Sequence, residues 1–162
     1  MSEVYFIGDL HLGHKNIQKY RDISSEEEQY EILKDKWHSV VTKRDKVFVL
    51  GDACFTYNRL IDFSGWIGDK VLICGNHDTD KLSMKQIVDS GTYSNIYSLL
   101  KYKEFWLSHC PLHCSELRGK KNIHGHIHNA VILDDCYINV CVEHVNGVPI
   151  SLQQIRKKIY NI

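Results

Sequence analysis

Val4-Tyr5-Phe6-Ile7-Gly8-Asp9-Leu10-His11 is an apolar run that ends abruptly on a glycine, a carboxylate and an imidazole. β-Branched and aromatic residues fill the run, which reads as a buried strand. The same arrangement returns along the chain. Lys46-Val47-Phe48-Val49-Leu50 leads into Gly51-Asp52, and Lys70-Val71-Leu72-Ile73-Cys74 into Gly75-Asn76-His77-Asp78. Phe105-Trp106-Leu107 leads into Ser108-His109, and Lys121-Asn122-Ile123 into His124-Gly125-His126. Five buried strands with polar C-terminal ends predict an α/β sheet protein whose ligands gather at those ends.

Between these runs lie helical patterns. Ser24 with Glu27 fits a capping box, after which Tyr30, Leu33, Trp37 and Val40 or Val41 repeat at helical spacing. The acidic run Glu26-Glu27-Glu28 falls in that first turn, where it suits the helix dipole. A second helix is expected from about Tyr57 to Trp66, burying Leu60, Ile61 and Trp66, and a third from about Lys81 to Asp89. Two strands follow His128, near Ala130 to Leu133 and Tyr137 to Val142. A last helix starts near Ser151 and presents Leu152, Ile155 and Ile159.

The 162 residues fit one domain, 1–162, with no repeat, linker or composition shift. With 43% hydrophobic and 25% charged residues, the composition is that of a soluble globule. The formal net charge of zero argues against long nucleic acid as a partner. It leaves room for a small phosphorylated substrate whose charge metal ions neutralise. No apolar run approaches the roughly 20 residues of a membrane span, and residues 1–6 do not form a signal peptide. The six cysteines therefore read as reduced thiols in a cytoplasm. Cys110 and Cys114 flank His113, but no second cysteine pair completes a zinc finger.

The strand ends present Asp9 and His11, Asp52, Asn76 and His77, His109, and His126 and His128. One such residue is usually structural. Carboxylates and imidazoles crowded together without a cation would repel or go unsatisfied. Asp9, His11, Asp52, Asn76, His109, His126 and His128 are seven potential ligands, enough for two ions about 3.5–4 Å apart. Asp52, alone on its strand end, is the natural bridge, using both carboxylate oxygens. Nitrogen and oxygen donors without thiolate suit manganese first, or iron, zinc or nickel, better than calcium.

Asp9-Leu10-His11, Gly51-Asp52, Gly75-Asn76-His77-Asp78, Ser108-His109 and Gly125-His126-Ile127-His128 resemble, in order, the five blocks of the calcineurin-like metallophosphoesterases. Residues 8–17 resemble the small single-domain bacterial and phage branch. The resemblance implies a four-layer α/β/β/α sandwich of two mixed β-sheets flanked by helices, without a cap domain. It implies that Asp9, His11 and His128 hold one ion, that Asn76, His109 and His126 hold another, and that Asp52 bridges them. His77 would be the catalytic histidine facing the phosphate, and Asp78 the acid that orients it. The implied activity is phosphoester hydrolysis by water activated between the ions.

His14, Asn16, Arg21 and Arg118 are candidate substrate contacts. His124 reads as a buried neighbour of the ligands, whereas His38, His113 and His144 read as structural. Cys54 stands where the small branch often has an aromatic residue and could bind a soft metal. A small nucleotide-like or cyclic phosphodiester is the preferred substrate. A phosphomonoester on a nucleotide, sugar or phosphoprotein is the alternative, and a non-catalytic binding scaffold is the least favoured reading.

Overall fold

A computed structural model describes residues 2–160. Its elements are β1 (Val4–Ile7), α1 (Glu26–His38), β2 (Lys46–Val49), α2 (Tyr57–Ser64), β3 (Asp69–Ile73), α3 (Met84–Asp89), β4 (Asn95–Tyr97), β5 (Leu99–Tyr102), β6 (Phe105–Ser108), β7 (Lys121–His124), β8 (Tyr137–Asn139), β9 (Ile150–Ser151) and α4 (Leu152–Tyr160). They form two mixed sheets flanked by helices. One has the order β4-β3-β2-β1-β9 and the other β5-β6-β7-β8. Strands β1 to β4 run parallel, as do β6 to β8, while β9 and β5 join antiparallel.

Side-chain alternation splits the interior into two cores. Ile7, Val47, Val49 and Leu72 face α1 to α3 and meet Leu33, Trp37, Leu60, Phe63 and Ile87. Phe6, Phe48, Leu50, Val71 and Ile73 face the second sheet and meet Phe105, Leu107 and Ile123. Leu152 and Ile155 of α4 join this second core. The first sheet is therefore apolar on both faces, which is why its strands read as continuous apolar runs.

Several local expectations shift. Ser25, not Ser24, caps α1 by accepting from the Glu28 backbone, while the Glu28 carboxylate reaches back to Ser24. In α2 the buried partner of Leu60 is Phe63, and Ile61 faces out. The third helix starts at Met84, where Ser83 and Gln86 complete a capping box. Residues 130–133 form a loop, not a strand, with Leu133 97% exposed. They lack a partner strand, and an apolar run alone does not supply one. β8 ends at Asn139, after which Cys141 makes only an isolated bridge to Gly8. Ile159 is half-buried. Among the described residues no helix is long and apolar enough to cross a membrane.

Candidate metal centre

The parallel strands of both sheets end at the same edge of the molecule, and the loops that follow interlock there. Asp9 N–H donates to Gly51 O and His11 N–H to Asp52 O, joining the loops after β1 and β2. His109 Nδ1 donates to Leu50 O at 2.7 Å, which ties the second sheet to the first. Five of the expected ligands adopt left-handed backbone: Asp9, His11, Asp52, His126 and His128, with φ between 46° and 71°. This conformation costs non-glycine residues about 1–2 kcal/mol each. So many together mark a site held by its surroundings.

The carboxylates are divided between two tasks. Asp9 Oδ2 accepts from His126 N–H at 2.8 Å and from Cys141 Sγ at 3.1 Å. That leaves Asp9 Oδ1 facing His11 Nε2 at 3.7 Å and His128 Nε2 at 3.8 Å. Asp52 Oδ1 accepts from His77 N–H at 2.8 Å. Asp52 Oδ2 lies 3.9 Å from His11 Nε2 and 3.3 Å from His109 Nε2. A single oxygen of Asp52 thus stands between the two groups, rather than the expected pair. On the far side, His109 Nε2 lies 2.9 Å from Asn76 Oδ1 and 3.2 Å from His126 Nδ1.

The glycines beside these carboxylates are needed for space. A Cβ on Gly75 would lie 2.3 Å from Asp52 Oδ1, and one on Gly125 would lie 2.3 Å from Asp9 Oδ2. Neither has positive φ, so close approach rather than a left-handed turn explains them.

All seven expected ligands therefore converge, and their chemistry fits divalent cations. Asp9 Oδ1 and His11 Nε2 are buried with no hydrogen-bond partner, a costly state unless a cation engages them. Burial opposes a charged His109, yet its contact with Asp52 prevails and raises its pKa to about 9. A proton on Nε2 can answer one of its three polar neighbours at a time, whereas a cation can answer all of them. The Nδ1–H bonds of His109 to Leu50 O and of His128 to Glu143 Oε1 (3.2 Å) point each Nε2 lone pair inward. Two convergent groups, Asp9/His11/His128 and Asp9/Asp52/His109, have the spacing of metal donors.

The chain is 35% identical over 176 residues to the uncharacterized protein MJ1445 of Methanocaldococcus jannaschii, covering 98% of this chain and 92% of that protein. The chain belongs to the MJ1445 family. It is also 32% identical over 170 residues to the gene 66 protein of Mycobacterium phage L5, covering 82% of this chain and 81% of the phage protein. Among solved structures, the protein of unknown function AQ665 from Aquifex aeolicus superposes with a TM-score of 0.76 at 26% identity. That match covers 98% of this chain and all of the other. No family model matches the chain.

Around the expected ligands of this MJ1445-family chain, several expected roles change. Asp78 does not touch the His77 ring. It is buried and accepts from Asp52 N–H (2.9 Å), Ala53 N–H (2.9 Å) and Gly75 N–H (2.7 Å). Burial pushes its pKa up to about 6 despite these bonds. The acid against His77 is Asp80, whose Oδ2 lies 2.5 Å from Nδ1. Arg21 lines the cavity, but it is not free to serve as the expected substrate contact. Its guanidinium bonds Glu143, Gln29, Leu10 O and Asp9 O. Arg118 is exposed and pairs with Glu116, and Asn16 is an exposed loop residue. His14 does line the cavity beside His11, His77 and His128.

Cys54 points into the apolar core beside Leu60 and Tyr93, away from the ligands. The neighbouring aromatic is Phe55, whose ring lies 4.9 Å from His11, 5.0 Å from His14 and 5.5 Å from His77. His124 is buried near the ligands, as expected. His113 caps a short turn, and His38 bonds Lys34 O and Ile67 N–H. Glu143 was not legible in advance. It bonds both His128 and Arg21, and these contacts outweigh its burial and draw its pKa down to about 2.

Manganese at a hundredfold excess over Kd should stabilise the folded chain by about 2.7 kcal/mol, roughly 5–10 °C in Tm for a domain of this size. Thermal melts of metal-stripped protein with and without manganese check this. Magnesium, which sheds its waters reluctantly, should raise Tm less.

Proposed function

We propose that this protein is a dinuclear metal-dependent phosphodiesterase of the calcineurin-like superfamily, hydrolysing a small nucleotide-like or cyclic phosphodiester. The observation that carries the reading is the convergence of Asp9, His11, Asp52, Asn76, His109, His126 and His128 around one oxygen of Asp52. Two bound divalent cations would supply Lewis-acid charge to the phosphoryl oxygens and acidify the attacking water.

The chain's own residues do the rest. His77 lines the cavity, with Nδ1 tied to Asp80 and Nε2 left to meet the departing oxygen. There it gives its proton to the alkoxide as the P–O bond breaks. Water adds OH to phosphorus and its other proton restores the one His77 gave up, so a diester yields a monoester and an alcohol. Phe55 packs against His11 and His77 and restricts both rings.

The cavity favours a diester over a monoester. It measures about 470 Å³ and is lined by His11, His14, Ile17, Tyr20, Arg21, His77, His128, Asn129 and Glu143. That is large enough for a small ligand. Its one guanidinium, that of Arg21, is already committed to Glu143 and to backbone carbonyls. Aromatic rings and an amide suit an uncharged ester substituent on the phosphorus better than the additional anionic oxygen of a monoester.

Metal-stripped protein with manganese restored tests this on bis-p-nitrophenyl phosphate and p-nitrophenyl phosphate, with Asp52→Asn as the blank. Manganese-dependent release from the diester, absent in the variant, is the expected result. Release from the monoester alone would replace the diesterase by a phosphatase. Silence on both with manganese, nickel, zinc and iron would point to a binding scaffold.

A further inference from the structure

We propose that Cys110 is a thiolate ligand of the second cation position, making one side of the centre soft and the other hard. The inference rests on the metal-centre reading above. Cys110 follows His109 directly at the end of β6. Its Sγ and one ring nitrogen each of His109 and His126 all lie within 4.8 Å of one another, the spacing that also unites Asp9 with His11 and His128. The Cys110 carbonyl accepts from Ser108 Oγ at 2.6 Å, which pins this residue at the rim of the site. Its sulfur makes no hydrogen bond among the described residues, and the side chain is exposed, so it can turn toward the two imidazoles. Asp9 Oδ1 and His11 Nε2, buried and unpartnered at the adjoining first position, mark the centre as a place for cations.

The two positions then differ in chemistry. The first is faced by carboxylate oxygens of Asp9 and Asp52 and by His11 and His128. The second has the Asn76 amide, His109, His126 and the thiol, and it meets the first at carboxylate oxygens of Asp52 and Asp9. Carboxylate oxygens suit manganese, whereas imidazole with thiolate draws zinc and other thiophilic ions. On binding, the thiol releases its proton to solvent as the Sγ–metal bond forms, and nothing is oxidised or reduced. Manganese in the first position and zinc in the second is the loading this arrangement favours.

The test titrates metal-stripped protein with cobalt(II), counting bound cobalt by elemental analysis and recording the near-ultraviolet spectrum. A thiolate-to-cobalt charge-transfer band is expected in the wild type and absent in Cys110→Ser. Cys110 is exposed, so this variant should fold normally. In parallel, zinc should slow alkylation of Cys110 by iodoacetamide at least tenfold, read by mass spectrometry. The exposed Cys114 nearby should be unaffected. Bound cobalt with no band, a band that survives in Cys110→Ser, or unchanged alkylation would overturn the thiolate ligand and leave the metal centre standing. No bound cobalt would overturn both.

Discussion

Asp52→Asn should lower manganese-dependent hydrolysis on the order of a thousandfold or more and abolish the manganese-induced rise in Tm. Altering a group that merely supports a metal ligand already costs about 10–100-fold, and Asp52 faces both ligand groups. The reason lies in its two oxygens. One acceptor must stay with His77 N–H at 2.8 Å. In the asparagine variant the NH2 group would therefore be turned toward His11 and His109, where Asp52 Oδ2 now stands. An NH2 group offers a cation no lone pair. It can, however, donate to His109 Nε2, and it removes one of two buried carboxylates. Asp52 also holds His109 charged in the absence of metal, its pKa raised to about 9, so the metal-free variant should melt somewhat below metal-free wild type at neutral pH. Calorimetric titration with manganese and paired melts separate lost binding from lost folding. A manganese-induced rise in Tm that persists in the variant would overturn this role of the carboxylate.

The second large effect belongs to Asp78. Asp78→Ala would strand three backbone N–H groups, those of Asp52, Ala53 and Gly75, in a buried setting. Unsatisfied buried donors cost roughly 1–3 kcal/mol each and partial relaxation is expected, so the loss should be about 3–5 kcal/mol. That corresponds to a fall of roughly 10–15 °C in Tm. Asp80→Ala should behave in the opposite way. Its bond to His77 is largely exposed, so Tm should scarcely move, while hydrolysis should slow by roughly 10–100-fold as the His77 ring loses its orientation. Melts and initial rates of the two variants side by side check the assignment. A stable, inactive Asp78→Ala with a fully active Asp80→Ala would restore the role first expected for Asp78.

The contrast between these two acids shows what the sequence could reveal. Strand ends were legible because buried β-branched runs stop at Gly8, Gly51, Gly75 and Gly125, and the polar residues after them could be grouped by chemistry. Which way each side chain turns was not legible. Asp78 follows His77 directly, yet successive residues in a tight loop face different ways, and the contact passes to Asp80. Asp9 and Asp52 were assigned as ligands, but the division of each carboxylate into one metal-facing and one amide-accepting oxygen depends on left-handed backbone that no local pattern announces.

Longer-range partners were hidden for a similar reason. Arg21 reaches Glu143 across the fold, and Glu143 in turn holds His128. Neither residue belongs to a motif, and a lone arginine in a polar loop reads as a surface charge. Cys110 was set aside with Cys114 as a failed zinc finger, because its real neighbours, His109 and His126, lie on two different strand ends. Val131 and Leu133 misled in the other direction. An apolar stretch reads as a strand until its lack of a pairing partner is seen.

On the proposed function, two cations sit on either side of Asp52. Anomalous diffraction from crystals grown with manganese, collected at the manganese edge, tests it most directly. Two peaks are expected about 3.5–4 Å apart, one among Asp9, His11 and His128 and one among Asn76, His109 and His126, with Asp52 Oδ2 between them. A single peak, or peaks that leave Asp52 without a metal contact, would contradict it.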